Sequence, residues 1–159
     1  MARQAETKDR TLVASNRRAR FDYEILDTFE AGLSLLGPEV KSLRGGKASL
    51  AEAFAVVRRG EAYLVGCHIP PYEQASRENP DPRRERKLLL HRREIAELEG
   101  GASERGFTII PLELYFRRGR AKVSLALARG KKRHDKRETI RTREEEREVA
   151  RTLRRGRRG

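Results

Sequence analysis

The chain lacks the residues on which disulfide frameworks and membrane spans depend. Among its 159 residues there is one cysteine, Cys67, which excludes a disulfide within the chain and suits a reducing compartment. No apolar run approaches the roughly 20 residues needed to cross a bilayer. Residues 1–10 contain no apolar segment of the kind found in secretion signals. These absences predict a soluble, cytoplasmic protein with no membrane partner.

The sequence also lacks the groupings of residues that support catalysis or bind metal. Its three histidines, His68, His91 and His134, are far apart, and the adjacent pair Cys67 and His68 does not have the spacing of zinc ligands. Cys67 follows a strand-like run, where a cysteine is more often a small core residue than a nucleophile. No glycine-rich loop ends in the Lys-Ser or Lys-Thr pair that binds phosphate. We therefore expect no enzymatic activity, no metal and no cofactor.

Positive charge is what the chain has in excess, with a formal net charge of +13. Residues 130–159 hold thirteen Lys and Arg against six Asp and Glu, so this tail contributes +7 and the body the remaining +6. A basic body joined to a basic tail is typical of a protein that binds a polyanion with both parts. RNA is the polyanion that best fits this length and charge.

Aromatic residues are few: four tyrosines, five phenylalanines and no tryptophan. Proteins that thread a single strand usually expose aromatic side chains between cations. The aromatic residues expected in the core, because they fall at strand positions, are Tyr23, Phe29, Phe54, Tyr63, Phe107 and Tyr115. The body is therefore better suited to a folded RNA, recognised through phosphates, shape and 2′-hydroxyl groups.

A period of two predicts a long strand from Tyr23 to Leu35, with apolar residues at the odd positions and Asp27 as the exception. Pro38 ends this pattern. Since proline is favoured in the first turn of a helix, it predicts a short helix that continues to about Leu43.

Two pairs of segments have the alternation of hairpin strands. Ala53–Val57 precedes Ala62–Val65, and Phe107–Phe116 precedes Ala121–Leu127. Each pair is joined by a tip that contains Arg-Arg-Gly, in which glycine supplies the positive φ of a tight turn.

The stretch between the hairpins has helix signals. Asp81 can cap a helix and Pro82 can occupy its first turn, so residues from about Arg83 to Leu98 are predicted to be helical. Gly100-Gly101 is expected to end the helix.

Together these elements predict a mainly β fold with flanking helices, an antiparallel OB-like β-barrel followed by a basic tail. We divide the chain into a disordered N-terminus at 1–10, an OB-like RNA-binding barrel at 11–129 and a basic C-terminal tail at 130–159. In the tail, opposite charges at i,i+3 favour a helix, but no continuous apolar stripe is present. This predicts a tail that is disordered when free and helical when a polyanion neutralises its arginines. A permanently disordered electrostatic tether is the alternative.

Several strings, in order within residues 11–140, resemble the bacterial family of SsrA-binding proteins, also called small protein B (SmpB). The matching strings are NRRAR from Asn16, EAGL from Glu30, GPEVKSLR from Gly37, GEAY from Gly60, RKLLLH from Arg86, PLELY from Pro111 and LARGKKRHDKR from Leu127. The blocks EVKSLR and GKKRHDKR are the most specific of them.

The resemblance implies an OB-type barrel and a non-enzymatic partner of transfer-messenger RNA, or SsrA RNA. It implies a role in trans-translation, the rescue of ribosomes stalled on messages without a usable stop codon. In that role the barrel binds the tRNA-like domain, and the tail enters the decoding centre and mRNA channel of the small subunit. It also implies that the protein acts with elongation factor Tu and GTP on the RNA.

The resemblance further implies which residues contact the RNA and which lie near the decoding centre. In the body, the implied RNA-facing residues are Asn16, Arg18, Glu30, Glu39, Lys41, Arg44, Lys87 and Leu90. In the tail, the residues implied to lie near the decoding centre are Lys131, Lys132, His134, Asp135, Lys136 and Arg137. Lysine and arginine can meet phosphate directly. Beyond Thr139 the similarity is one of composition only.

Two questions stay open at this point. Glu30 and Glu39 either accept hydrogen bonds from bases or 2′-hydroxyl groups, or they hold nearby arginines in position. Charge by itself fits a structural ribosomal protein with a basic extension equally well, and the size of the RNA that the protein retains distinguishes the two functions.

Overall fold

The structure, a computed structural model, describes residues 10–75 and 79–131 and the single residue Arg147. Its α-helices are α1, Ala19–Asp22; α2, Gly37–Arg44; and α3, Arg92–Glu104, with a 3₁₀ turn at Glu73–Ala75. Its strands are β1, Arg10–Ser15; β2, Tyr23–Leu33; β3, Phe54–Arg58; β4, Glu61–Val65; β5, Arg86–Leu89; β6, Thr108–Arg117; and β7, Arg120–Gly130. The conformation predicted for the tail lies outside the described residues.

The strands close into an antiparallel barrel. The order β6, β3, β4, β5, β2, β7 returns to β6, because β6 and β7 also pair with each other. On its other edge, β6 pairs with β3 at Ile109 and with β1 from Glu113 to Arg117. The prediction of a mainly β, OB-like barrel with flanking helices is confirmed.

The odd-numbered residues of β2 point to opposite sides of the strand before and after a β-bulge. Its register with β7 shifts between Ile25 and Asp27, which leaves Leu26 as the extra residue. Before the bulge, Ile25 packs in a small cluster with α1, whereas after it Phe29 faces the main core. The predicted strand is therefore present and ends at Leu33, but a single buried face along all its odd positions is wrong.

Both predicted hairpins are present, and each turn uses two residues of positive φ. The values are 51° at Arg59 and 74° at Gly60, and 52° at Arg118 and 78° at Gly119. Two consecutive positive φ values match the turn to the twist of the flanking strands. The arginine before each glycine thus shares the left-handed conformation that the sequence pattern assigned to glycine alone.

The helix predicted from Arg83 to Leu98 is wrong in its first half. Residues 86–89 form β5, which pairs with β4 and β2, and α3 begins only at Arg92. These pairing partners are distant in the chain, so β5 depends on tertiary context rather than on a local pattern.

The helix α3 also continues through Gly100 and Gly101 to Glu104, contrary to the prediction that the glycines end it. A Cβ atom on Gly101 would lie 2.5 Å from Cδ2 of Leu127. The absence of a side chain at this position therefore allows close packing of α3 against β7.

The helix α2 lies where proline predicts it and positions part of the site described below. Pro38 is in its first turn, and the carboxylate of Glu39 accepts a hydrogen bond of 2.9 Å from the backbone N–H of Leu36. Leu43 is 1% exposed in the main core. In the described part of the chain, no helix is long and apolar enough to cross a membrane.

Candidate RNA-binding surface

Lys41 and Arg44 lie on the exposed side of α2. The helix buries Glu39, Ser42 and Leu43, which leaves these two cations at its surface. The Lys41 Nζ atom lies 5.5 Å from the ring centroid of Tyr72, and the Arg44 guanidinium carbon lies 5.9 Å from that of Phe116. Both cations rest beside aromatic rings and remain accessible to phosphate.

Glu39 is buried and forms ion pairs with two arginines. It is 2% exposed, and its carboxylate accepts hydrogen bonds of 2.6 Å from Nη2 of Arg84 and 2.6 Å from Nε of Arg86. Burial acts to raise the pKa of Glu39, but hydrogen bonds from Arg84, the Leu36 N–H and Arg86 outweigh it and bring the pKa below its usual value. Of the two interpretations of Glu39, this geometry favours the one in which it holds arginines in position, and it does not place Glu39 on the RNA-facing surface.

Arg86 is the centre of this network. Its side chain is fully buried and donates to the backbone carbonyl of Cys67 at 2.8 Å and to that of Pro82 at 3.0 Å. The network therefore ties α2 to β5 and to the segments on both sides of the 3₁₀ turn. Sequence reasoning named Glu39 but missed Arg84 and Arg86 as its partners, because neither lies near it in the chain.

Glu30 lies at the surface of β2 in a different cluster. It accepts hydrogen bonds from the hydroxyl of Tyr115 and from Nη1 of Arg117, the latter at 2.9 Å to one of its carboxylate oxygens. Its side chain is 34% exposed, so the carboxylate is reachable as well as held. Arg10 lies 3.7 Å above the Tyr115 ring and donates at 2.7 Å to Glu113. This geometry is compatible with both of the roles that the sequence left open for Glu30.

Lys87 and Leu90 lie on and just after β5. The Lys87 Nζ atom donates at 3.1 Å to Glu61, which also accepts at 2.6 Å from the hydroxyl of Tyr63. The Lys87 side chain is 46% exposed. Leu90 is half-buried against the main core.

Asn16 and Arg18 lie at the junction of β1 and α1. Asn16 is tied to β6, because its N–H donates at 2.8 Å to the carbonyl of Leu112 and its side-chain amide at 3.3 Å to that of Pro111. The Arg18 side chain is 79% exposed and lies 3.9 Å from the carboxylate of Asp22. Arg18 is thus exposed to solvent, while Asn16 fixes the backbone that carries it.

Lys131 is joined to α1 as well. Its N–H donates at 3.0 Å to the carbonyl of Asp22, and its Nζ at 3.1 Å to the carbonyl of Arg20. The sheet begins at Arg10 and ends at Gly130, so it takes one residue from each segment predicted to flank the barrel. The other tail candidates, Lys132, His134, Asp135, Lys136 and Arg137, lie outside the described residues.

The described candidates fall into two groups along β7. From Arg120 to Gly130 this strand spans about 35 Å. Arg44 lines a recess with the tip of the β6–β7 hairpin, and Leu89 of β5 lines another with Arg120 and Lys122. Arg18 and Lys131 lie beside α1 near the other end. The structure therefore groups α2 and β5 at the hairpin tip and separates them from Arg18 and Lys131.

Cys67 is a residue of the main core. Cys67 is fully buried, and burial raises the pKa of its thiol to about 11, so the thiol is protonated at neutral pH. Among residues 10–75 and 79–131, no group of three or more His, Cys, Asp or Glu side chains could hold a metal ion.

Comparison with known proteins gives the family. The family model described as "SmpB protein" matches residues 13–155. The chain belongs to the SmpB family. This agrees with the resemblance carried by the motifs and covers the body together with most of the tail.

Relatives match over nearly the whole chain. An SsrA-binding protein of Acidothermus cellulolyticus is 55% identical over 149 residues and covers 94% of each chain. An SsrA-binding protein of Mycobacterium sp. (strain KMS) is 59% identical over 149 residues, 92% of this chain and 89% of the relative. A solved chain from "tmRNA-SmpB: a journey to the center of the bacterial ribosome" is 53% identical, with a TM-score of 0.64, and the match covers 80% of this chain and 94% of that one.

Proposed function

We propose that the chain binds transfer-messenger RNA and acts with it in trans-translation on stalled ribosomes. The observation that carries the proposal is the family match over residues 13–155, with SsrA-binding relatives more than half identical along nearly the full chain. The exposed cations of α2 and of the junction between β1 and α1 support an RNA-binding body.

In this proposal the two parts of the chain have different roles. The barrel binds the tRNA-like domain through the group at the β6–β7 tip, with Lys41, Arg44 and Lys87 on phosphates and Glu30 on a base or 2′-hydroxyl donor. The tail, residues 130–159, enters the decoding centre and the mRNA channel. The RNA reaches the ribosome with elongation factor Tu and GTP. None of these steps requires the chain to catalyse a reaction.

Recovery of the bound RNA tests whether the chain binds transfer-messenger RNA. The protein, purified from cells under mild salt, should retain one discrete RNA of the size of transfer-messenger RNA. Stoichiometric ribosomal RNA in its place would indicate a structural ribosomal protein and contradict the proposal.

The salt dependence of binding tests the surface. Replacing Lys41 and Arg44 by alanine should weaken binding to transfer-messenger RNA and lower the slope of log K against log salt by about one unit for each lost phosphate contact. Arg93→Ala, an exposed arginine on α3 outside the proposed surface, is the control and should leave the slope unchanged. An unchanged slope in the double variant would remove α2 from the interface.

Truncation tests the tail. A chain that ends at Lys131 keeps the contacts of that residue to α1 and should bind transfer-messenger RNA with nearly full affinity. In a reconstituted translation system stalled on a message without a stop codon, it should fail to support peptide tagging. Tagging at the full rate would contradict the decoding-centre role of the tail.

A further inference from the structure

A further recess lies beside α2. It has a volume of about 460 Å³ and lies between the C-terminal half of α2 and the segment Pro70–Gln74. Its described lining consists of Lys41, Ser42, Gly45, Lys47, Pro70, Pro71, Tyr72, Glu73 and Gln74. We call it the Tyr72 recess. Pockets of this volume hold ligands of small-molecule size.

Two clips hold Tyr72 in place. The Ser42 hydroxyl donates at 2.7 Å to the carbonyl of Pro70, which joins the segment to α2. The backbone N–H of Tyr72 donates at 2.8 Å to the side chain of Asn79, whose amide donates back at 2.9 Å to the Tyr72 carbonyl. These hydrogen bonds hold the backbone, and the Tyr72 hydroxyl also donates to the side-chain oxygen of Gln74, which holds the ring. Little further ordering is then needed when a ligand stacks on the ring.

The lining combines flat faces with positive charge. The half-buried Tyr72 ring follows two prolines, and Gly45 adds no side chain to the wall. Lys41 and Lys47 supply two cations, against the single carboxylate of Glu73 among the described lining residues. Aromatic rings with adjacent cations are the means by which proteins bind unpaired nucleotides, since every base has a π face and every nucleotide carries a phosphate.

We propose that the Tyr72 recess binds one unpaired nucleotide of the RNA, with its base stacked on the Tyr72 ring and its phosphate held by Lys41 and Lys47. The Lys41 Nζ atom lies 5.5 Å from the ring centroid, and its flexible side chain turns from the ring to the phosphate. The inference rests on the proposed function and adds a stacking contact with a base to the phosphate contacts proposed for α2. It also assigns a role in binding to an aromatic residue that lies outside the strands.

Substitution of the ring tests the stacking. In the full chain, Tyr72→Leu removes the π face but keeps apolar bulk, and should weaken binding to transfer-messenger RNA by roughly 5- to 100-fold. Tyr72→Phe keeps the ring and should bind within about twofold of the wild type. Phe107→Leu changes an aromatic residue that is half-buried like Tyr72, lies beside α3 and lines none of this recess, so it is the matched control and should also stay within about twofold. Thermal unfolding of each variant identifies any change that arises from misfolding.

Ultraviolet crosslinking tests the same contact without substitution. The wild-type complex with transfer-messenger RNA, digested with nuclease and trypsin, should yield a nucleotide adduct that mass spectrometry assigns to Tyr72 or an adjoining residue. Wild-type affinity of folded Tyr72→Leu, or adducts only elsewhere in the body, would overturn the proposal.

A second RNA separates this inference from the proposed function. If the wild-type chain does not prefer transfer-messenger RNA over a tRNA, the proposed function fails. The recess is then tested with a uridine dodecamer, for which Tyr72→Leu should still weaken binding. Equal affinities of Tyr72→Leu and the wild type for the dodecamer, together with no preference for transfer-messenger RNA, would overturn both.

Discussion

Glu39 and Arg86 form an ion pair of 2.6 Å in which neither side chain is more than 2% exposed. Burying two charges costs several kcal/mol for each ion, and their attraction offsets that cost only when every remaining donor and acceptor is satisfied. Here the carboxylate also accepts from Arg84 and from the Leu36 N–H, and Arg86 also donates to two backbone carbonyls. The pair joins α2, which carries Lys41 and Arg44, to the barrel wall.

We expect Glu39→Ala to lower the free energy of unfolding by about 3–5 kcal/mol, because it leaves Arg86 charged, buried and without its carboxylate. Glu52→Ala is the control: Glu52 pairs with Arg83 at 3.3 Å, but its side chain is 77% exposed, so the loss should stay within about 1 kcal/mol. Urea denaturation at neutral pH measures both values. A loss in Glu39→Ala no larger than in Glu52→Ala would mean that Arg86 finds another partner.

The contribution of Glu39 should depend on pH in one direction. Its pKa in the folded state is lowered from 4.5, so the stabilisation is fully present above that value and is lost as pH falls through the lower, folded pKa. Glu39→Gln removes this titration. The difference in unfolding free energy between the wild type and Glu39→Gln should therefore be constant from neutral pH to about pH 5 and shrink below it. A difference that grows on acidification would contradict the direction of the shift.

The features that sequence predicted correctly are local ones. Pro38 begins α2, and the Arg-Arg-Gly tips make both hairpins, because each depends on the φ values of a few adjacent residues. The strand β5 was taken for helix, since its pairing with β4 and β2 is a property of the closed barrel. A local sequence pattern does not indicate which distant strands a segment pairs with.

In the candidate site, too, sequence predicts local features but not contacts between residues that are far apart in the chain. The exposure of Lys41 and Arg44 follows from which face of α2 is apolar, so sequence could predict it. The role of Glu39 could not be settled from sequence, because Arg86 is 47 residues away in the chain. Tyr72 carried no periodic signal, and only hydrogen bonds of the folded chain, such as those between Tyr72 and Asn79, reveal that its backbone is held.

The two glycines of α3 should respond oppositely to alanine. At Gly101 a Cβ atom would lie 2.5 Å from the Leu127 side chain, so Gly101→Ala must displace either Leu127 or the helix, and overpacking of this kind costs about 1–3 kcal/mol. At Gly100 nothing lies within 4 Å of a Cβ atom, so Gly100→Ala should stabilise the protein by roughly 0.5–1 kcal/mol through helix propensity. Thermal unfolding of the two variants provides the measurement. A lower midpoint for Gly100→Ala than for Gly101→Ala would contradict the packing of α3 on β7.

Tyr115 should act on RNA binding through Glu30. Burial raises the pKa of Tyr115 well above its usual value, and the hydrogen bond to Glu30 raises it further, so the phenol keeps its proton and donates to the carboxylate at any physiological pH. Tyr115→Phe removes that donor and keeps the ring on which Arg10 stacks. We expect it to lower the unfolding free energy by about 0.5–1.5 kcal/mol.

The RNA affinity of two variants then decides what Glu30 does. If the carboxylate accepts a hydrogen bond from the RNA, Glu30→Gln should weaken binding to transfer-messenger RNA by about 10-fold or more, since hydrogen bonds to charged groups contribute about 1.5–3 kcal/mol. Tyr115→Phe should weaken it by a smaller factor, because Arg117 still orients the carboxylate. Filter binding at fixed salt measures both affinities. Wild-type affinity in both variants would mean that Glu30 only holds Arg117 and Tyr115 in position and makes no contact with the RNA.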